Sequence, residues 1–217
     1  MTALVLSAAL KGTVALALAW IAAVALRRKS ADVRHSVWLA ALAVLVLLMI
    51  PLRVPEVAQL TIAYRADASA AVAPARLNLW PIIWAGGAML LIARFAWQLV
   101  RLALITRRAK RVEPWVRSSV EVSSPMTWGV LRPVILLPAY ASEWSDEKRD
   151  YALAHERIHI ARRDWLWQSF AQLLTAIFWF HPLVWFAVAR LRHEAEQAVD
   201  DAVLNSGVEA AGYAEQL

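Results

Sequence analysis

Apolar residues run almost unbroken from Ala3 to Leu26, interrupted only by Ser7, Lys11, Gly12 and Thr13, and Arg27-Arg28-Lys29 follow at once. A cleavable leader would carry its positive charge ahead of a shorter apolar core, so the pattern predicts a membrane helix over 3–26. A second apolar stretch, 36–54, runs into Pro51 and Pro55 and is barely long enough to cross roughly 30 Å of hydrocarbon; Arg53 shortens it further. Residues 55–77 are Ala-rich and weakly charged, and read as an exposed loop. Asn78 then offers an N-cap and Pro81 a first-turn proline for a third helix over 78–105, which Arg107, Arg108, Lys110 and Arg111 follow. The strongly basic loops lie after the first and third helices. The positive-inside rule therefore puts the N-terminus outside and residues past 106 in the cytoplasm. Lys11 and Arg94 lie within these spans, which hold no acid to pair with either. Lys11 is close enough to the outer end to snorkel, and the sequence assigns Arg94 no role.

From residue 113 the pattern changes. "SSVEVSS" (118–124) and "RPVILLP" (132–138) read as short strands separated by a loop containing Gly129. Ser145 is an N-cap residue with Asp146 and Glu147 behind it, and the helix it starts carries His155, Glu156 and His159. The apolar run from Trp165 to Ala189 is long enough to span a bilayer, but it contains Gln168, Ser169, Gln172, Thr175 and the pair His181-Pro182. Proline disfavours helix at the residue before it, so a turn near "FWFHP" is expected.

Composition agrees with this layout. The chain is 60% hydrophobic with a mean hydropathy of +0.49, too apolar for an ordinary soluble domain. A net charge of +6 could point to nucleic acid, but the basic residues flank apolar runs, where they orient a protein in a bilayer; no direct nucleic-acid partner is expected. The absence of cysteine excludes disulfides and thiolate metal sites, so any metal must be held by His and carboxylates.

His155-Glu156-x-x-His159 has that chemistry. Residues four apart share a helix face, so both imidazoles can address one ion while Glu156 serves as general base. A bare HExxH also arises by chance on a solvated helix. A catalytic zinc needs a third protein ligand, and Glu194 and Glu196 lie downstream. Glu196, Val199, Asp200 and Val203 fall on one helix stripe, from which Glu194 points away. Glu196 is therefore the expected ligand, and Asp200 the acceptor for the outer N–H of a zinc histidine; a solvated acidic helix end is the competing reading. One site then demands that the apolar run turn back, because a full crossing would separate the ligands by about 30 Å of lipid. The run becomes a hairpin with Phe178, Trp179, Phe180, Trp185 and Phe186 in or on the bilayer, and His181 an interfacial turn residue. His193, three residues before Glu196, is either a transition-state donor or a solvated surface histidine. "PVILLP" offers a strand edge for an extended substrate, or simple core packing.

Four stretches together, "SPMTWGVLRPVILLP" (124–138), "LAHERIHIARRDW" (153–165), "FHPLVW" (180–185) and "EQAVDDAVL" (196–204), resemble the membrane-bound metalloproteases of the BlaR/MecR antirepressor type. The resemblance covers residues 113–217 by motif and the upstream helices by layout. It implies a gluzincin-type site with one Zn2+ per chain, held by His155, His159 and Glu196, with Glu156 as base and an ExxxD element ending at Asp200. Asp164 matches the acid that closes the family's HExxHxxxxD stretch, and an ion pair with an arginine is its simplest use. Val199 stands where the family often has cysteine, at a position that is not a ligand. Sensor members continue into a further helix and an extracellular domain, so the chain is expected to be a piece of a longer protein.

The fold class expected is a mainly α membrane protein. A membrane region (1–106) precedes a cytoplasmic-facing zinc metallopeptidase domain (107–217) with a small β element and a helical hairpin carrying the ligands. The function implied is a zinc endopeptidase of the bacterial inner membrane, cleaving a cytoplasmic regulator such as a transcriptional repressor; association with a second copy is left open. A non-catalytic transducer with a structural zinc, or an HtpX/Ste-type quality-control protease, are the alternatives.

Overall fold

The computed structural model describes residues 2–50 and 78–205. Helices α1 (Thr2–Ala25) and α2 (Ala31–Met49) form an antiparallel pair. Its seam is written in spacings of three, four and seven: Ala9, Leu16, Ala19 and Ala23 are buried on one helix, and Ala31, Trp38, Leu42 and Leu45 on the other. Gly12 permits the closeness, because a Cβ there would run into the Leu45 side chain. The sequence pattern predicted α2 over 36–54; it begins five residues earlier, with Ser30 at the N-cap and Asp32 in the first turn. Of those first residues, Asp32 and Arg34 reach across to Arg162 of a later helix and to Glu194 of another. Residues 51–77, with the loop expected over 55–77, lie outside the described residues.

Helix α3 (Trp80–Arg108) starts one residue after its cap, Leu79, and Asn78 Oδ1 accepts the Trp80 N–H at 3.1 Å. Among its described residues it buries only Ala88 and Ile105 and leaves Ile82, Ile83, Met89, Leu90, Trp97 and Val100 exposed. Such an apolar exterior suits hydrocarbon better than water. Helices α2 and α3 are each long and apolar enough to cross a membrane, and α1 adds the shorter apolar stretch Ala9–Ala25. Arg94 lines a cleft between α3 and the later hairpin with Gln98, Gln172 and Arg192.

A four-stranded sheet follows: β1 (Lys110–Glu113), β2 (Val116–Ser119), β3 (Met126–Trp128) and β4 (Val134–Pro138), in the order β1-β2-β4-β3. β4 pairs in parallel with β2 (Val116 opposite Ile135) and antiparallel with β3 (Met126 opposite Leu136). Two expectations change here. The "SSVEVSS" strand ends at Ser119, and Val120 lies in an exposed turn. "PVILLP" is no edge: β4 is central, and Ile135, Leu136 and Leu137 are buried, each contributing about 1.5–3 kcal/mol. The edge strands are β1 and β3.

Beyond a short 3-10 turn (Ala139–Glu143) come α4 (Asp146–Arg162), α5 (Asp164–Ile177) and α6 (Pro182–Asn205). The turn expected at "FWFHP" is present: residues 178–181 separate α5 from α6, Pro182 opens α6, and Phe178 at the bend is fully buried. The histidine helix does not run on into α5, however. Arg163 adopts φ 59° and ψ 35°, which breaks the chain direction between α4 and α5.

The hairpin tip is held by specific contacts. Trp84 Nε1–H donates to the Ile177 carbonyl at 2.9 Å, and Trp179 Nε1–H to the Trp84 carbonyl at 3.1 Å. Trp80 meets Phe180 edge-on. His181 is buried rather than interfacial, with Nε2 3.0 Å from Thr13 Oγ1 and 3.1 Å from the Ala9 carbonyl. One apolar cluster joins α1, α2, α5 and α6 through Leu16, Trp38, Leu42, Leu174, Phe178 and Leu191.

Candidate metal centre

Helix α4 starts where Ser145 accepts the Lys148 N–H at 3.3 Å, with Asp146 and Glu147 at the positive end of its dipole. Two turns later His155 and His159 stand side by side on one face, rings 4.9 Å apart. The α5–α6 hairpin returns the chain so that Glu196, on α6, meets them. His155 Nε2 and His159 Nε2 are 3.2 Å apart; Glu196 Oε2 lies 3.7 Å from the first and 3.5 Å from the second. A tetrahedral ion with bonds of about 2.0–2.1 Å places its ligand atoms about 3.3–3.4 Å apart. The triangle fits one such ion.

Both histidines are backed by a carboxylate on the outer nitrogen. Asp164 Oδ2 is 2.8 Å from His159 Nδ1, and Asp200 Oδ1 is 3.4 Å from His155 Nδ1. An ionised carboxylate only accepts, so a proton sits on each Nδ1; Nε2, which donates to Glu196 here, would turn its lone pair into the triangle on losing its own proton. Asp164 is buried and also accepts from Arg162 Nε at 3.1 Å, so the expected arginine pair and the histidine contact coexist on one oxygen. The left-handed Arg163 makes this possible, because it turns the first residue of α5 back toward α4.

Burial pushes His159 down, but its hydrogen bonds to Asp164 and Glu196 outweigh it and set its pKa at about 9. Hydrogen bonds from His155 and His159 hold Glu196 well below the usual carboxylate range. Glu156 behaves oppositely: burial raises it, against the pull of both histidines, and its Oε2 is buried with no hydrogen-bond partner among the described residues. It lines a cleft of about 240 Å³ with the three triangle residues, Asp164, Gln168, and Met126 and Thr127 of edge strand β3.

The two glutamates of α6 part company in a way the stripe did not anticipate. Val199 and Val203 are fully buried, but Glu196 is half exposed; Glu194 is the one fully sealed from solvent, paired with Arg34 and Arg190. Glu196 reaches the histidines from the rim of the buried face. His193 is not brought to the triangle. It is exposed and lines a separate cleft with Trp20, Arg27 and Arg34. The sequence reading missed Thr127 and Gln168, whose side chains carried no pattern, and Asp32 and Arg34, which a charged helix start disguised as loop.

Fold and site define a mostly helical protein with a small sheet and a candidate metal site of two histidines and one carboxylate. The sequence model of the family described as BlaR1 peptidase M56 matches residues 74–217, and the chain belongs to that peptidase family. It is 40% identical over 85 residues to the "Regulatory protein BlaR1" of Bacillus licheniformis, a stretch covering 39% of this chain and 14% of the relative. It is 26% identical over 87 residues to the "Methicillin resistance mecR1 protein" of Staphylococcus aureus (strain Mu50 / ATCC 700699), covering 40% of this chain and 15% of the relative. The chain thus matches about one-seventh of the length of these curated relatives.

Proposed function

We propose that this chain is a membrane-bound zinc endopeptidase that cleaves a cytoplasmic regulatory protein, such as a repressor. The observation that carries the reading is the triangle of Nε2, Nε2 and Oε2 with, beside it, a buried Glu156 carboxylate oxygen that has no partner among the described residues. His155, His159 and Glu196 would hold the ion; Asp164 and Asp200 fix the imidazole tautomers. Bound zinc supplies Lewis acidity, which polarises a peptide carbonyl and makes water easier to deprotonate. Glu156, kept basic by burial, takes a proton from the attacking water and passes it to the leaving amine as the C–N bond breaks. Edge strand β3 borders the cleft and offers an extended substrate its free side. A structural zinc in a non-catalytic transducer would leave this glutamate without a use.

In this reading residues up to 106 form the membrane region and 107–217 the peptidase, with the metal centre on the cytoplasmic side. Arg34 pairs with Glu194 at the same end as the basic Arg27–Lys29 turn, while Trp179 reaches Trp84 near the opposite end of α3. Helix α5 rises about 21 Å, short of the roughly 30 Å hydrocarbon core. The hairpin therefore enters the bilayer and returns without crossing. The test is zinc content and peptide cleavage by the purified full chain. Glu156→Gln should keep one zinc and lose about 10²–10⁴-fold in cleavage. Undiminished proteolysis by that variant in a clean preparation would refute the assigned base.

A further inference from the structure

The three triangle residues come from two helices that are not neighbours in sequence, so something must fix α4 against α6. Both are gripped by the first turn of α2. Asp32 accepts from Arg162 Nη1 at the last residue of α4. Arg162 Nε in turn donates at 3.1 Å to Asp164 Oδ2, the oxygen that lies 2.8 Å from His159 Nδ1. Two residues along α2, Arg34 Nε donates to Glu194 Oε2 at 2.7 Å and Nη2 to Gln197 Oε1 at 2.8 Å. These partners flank Glu196 on both sides. Arg34 is itself anchored, since Nη1 donates to the Lys29 carbonyl at 2.6 Å in the α1–α2 turn. Arg190 Nη2 donates to the other oxygen of Glu194 at 2.7 Å, so the buried acid is fully engaged. His35, next in sequence, is buried among the charges of Asp32, Arg162, Asp164 and Glu194.

We propose that the first turn of α2 is a positioning element for the metal centre: Asp32 sets His159 through Arg162 and Asp164, and Arg34 sets Glu196 through Glu194 and Gln197. The inference rests on the zinc reading above. Its physical content is that a forked guanidinium fixes direction as well as charge, so Arg34 holds two residues of α6 at one orientation. Because α2 is apolar enough to cross a membrane, a shift of α2 would alter the spacing of ligands drawn from α4 and α6. The turn joining α1 to α2 is thereby a route by which the membrane helices act on the site.

The test uses the full chain in detergent, with zinc Kd from chelator competition and the visible spectrum of the cobalt-substituted protein. Arg34→Gln should weaken zinc by up to about tenfold, the low end for loss of a group bonded directly to a ligand, because it acts on Glu196 only through Glu194 and Gln197, and should change the cobalt spectrum. Asp32→Asn should weaken it less, by about threefold, because Asp32 is largely exposed, and Asp32→Glu should restore it. Removing Arg34 alone strands Glu194, so the double variant Arg34→Met with Glu194→Leu supplies a form without an unpaired buried charge. It should melt, with chelator present, close to the parent, yet still bind zinc weakly. Arg149→Gln, which breaks the α4 pair with Glu113 away from the triangle, should bind as the parent does. If the parent takes up no zinc, the metal reading falls and this one with it. If the parent binds but the double variant and Asp32→Asn bind equally tightly with an unaltered cobalt spectrum, only the positioning role of α2 is overturned.

Discussion

Up to Leu191, α6 packs Val184, Ala187 and Leu191 into the apolar cluster shared with Trp38, Leu42 and Phe178. From Glu194 onward the same helix carries Glu194, Glu196 and Asp200, each facing a cation or an imidazole. The apolar half is held by shape. The charged half adds pairing to the packing of Val199 and Val203, and within it burial separates structure from chemistry. Glu194 is sealed, fully partnered and serves the fold; Glu196, two residues on, is half exposed and converges with the two histidines. A half-exposed carboxylate can exchange its partners for a cation and a substrate, whereas a sealed one cannot give up its arginines without leaving a charge in the interior.

This contrast can be broken in four places. Glu194→Ala should destabilise the protein by about 3–5 kcal/mol, because Arg34 and Arg190 lose their buried partner; a chelator-treated melt within a few degrees of the parent would contradict it. Glu196→Ala should leave that melt nearly unchanged but weaken zinc by about a hundredfold, roughly 2.7 kcal/mol, read by metal analysis after dialysis. Were the two variants to exchange these effects, the division of labour would be reversed. Gly87→Ala sharpens the apolar side. A Cβ at Gly87 would overlap the Trp179 indole, so the hairpin tip must move, at about 1–3 kcal/mol, with zinc affinity preserved. A combined melt and zinc titration checks both halves of that expectation. His193→Ala, in the exposed cleft away from the triangle, should change stability by less than about 0.5 kcal/mol and leave zinc binding as it was.

Much of the local architecture was legible. The apolar runs located α1, α2 and α3, Ser145 marked the start of α4, and His181-Pro182 marked the bend of the hairpin. Where reading failed, the reason was a partner outside the window. Polar residues at the start of α2 looked like loop because their partners, Glu194 and Arg162, lie 160 and 130 positions away. "PVILLP" looked available as an edge because three-residue β3, too short to announce itself, covers it. The break at Arg163 carries no glycine or proline to mark it.

The sequence by itself determined that two histidines share a helix face, that Glu156 lies between them, and that a turn returns the chain toward a second acidic stretch. Those are properties of spacing, capping and proline, which act over a few residues. The stripe already put Asp200 behind a histidine; only the tertiary structure decided that this histidine is His155, that Asp164 backs His159, that Glu194 is sealed while Glu196 is not, and that α2 grips both helices. A charged side chain carries no local signal of its partner. That choice is made when helix faces far apart in sequence pack together and exclude water from one pair and not the next.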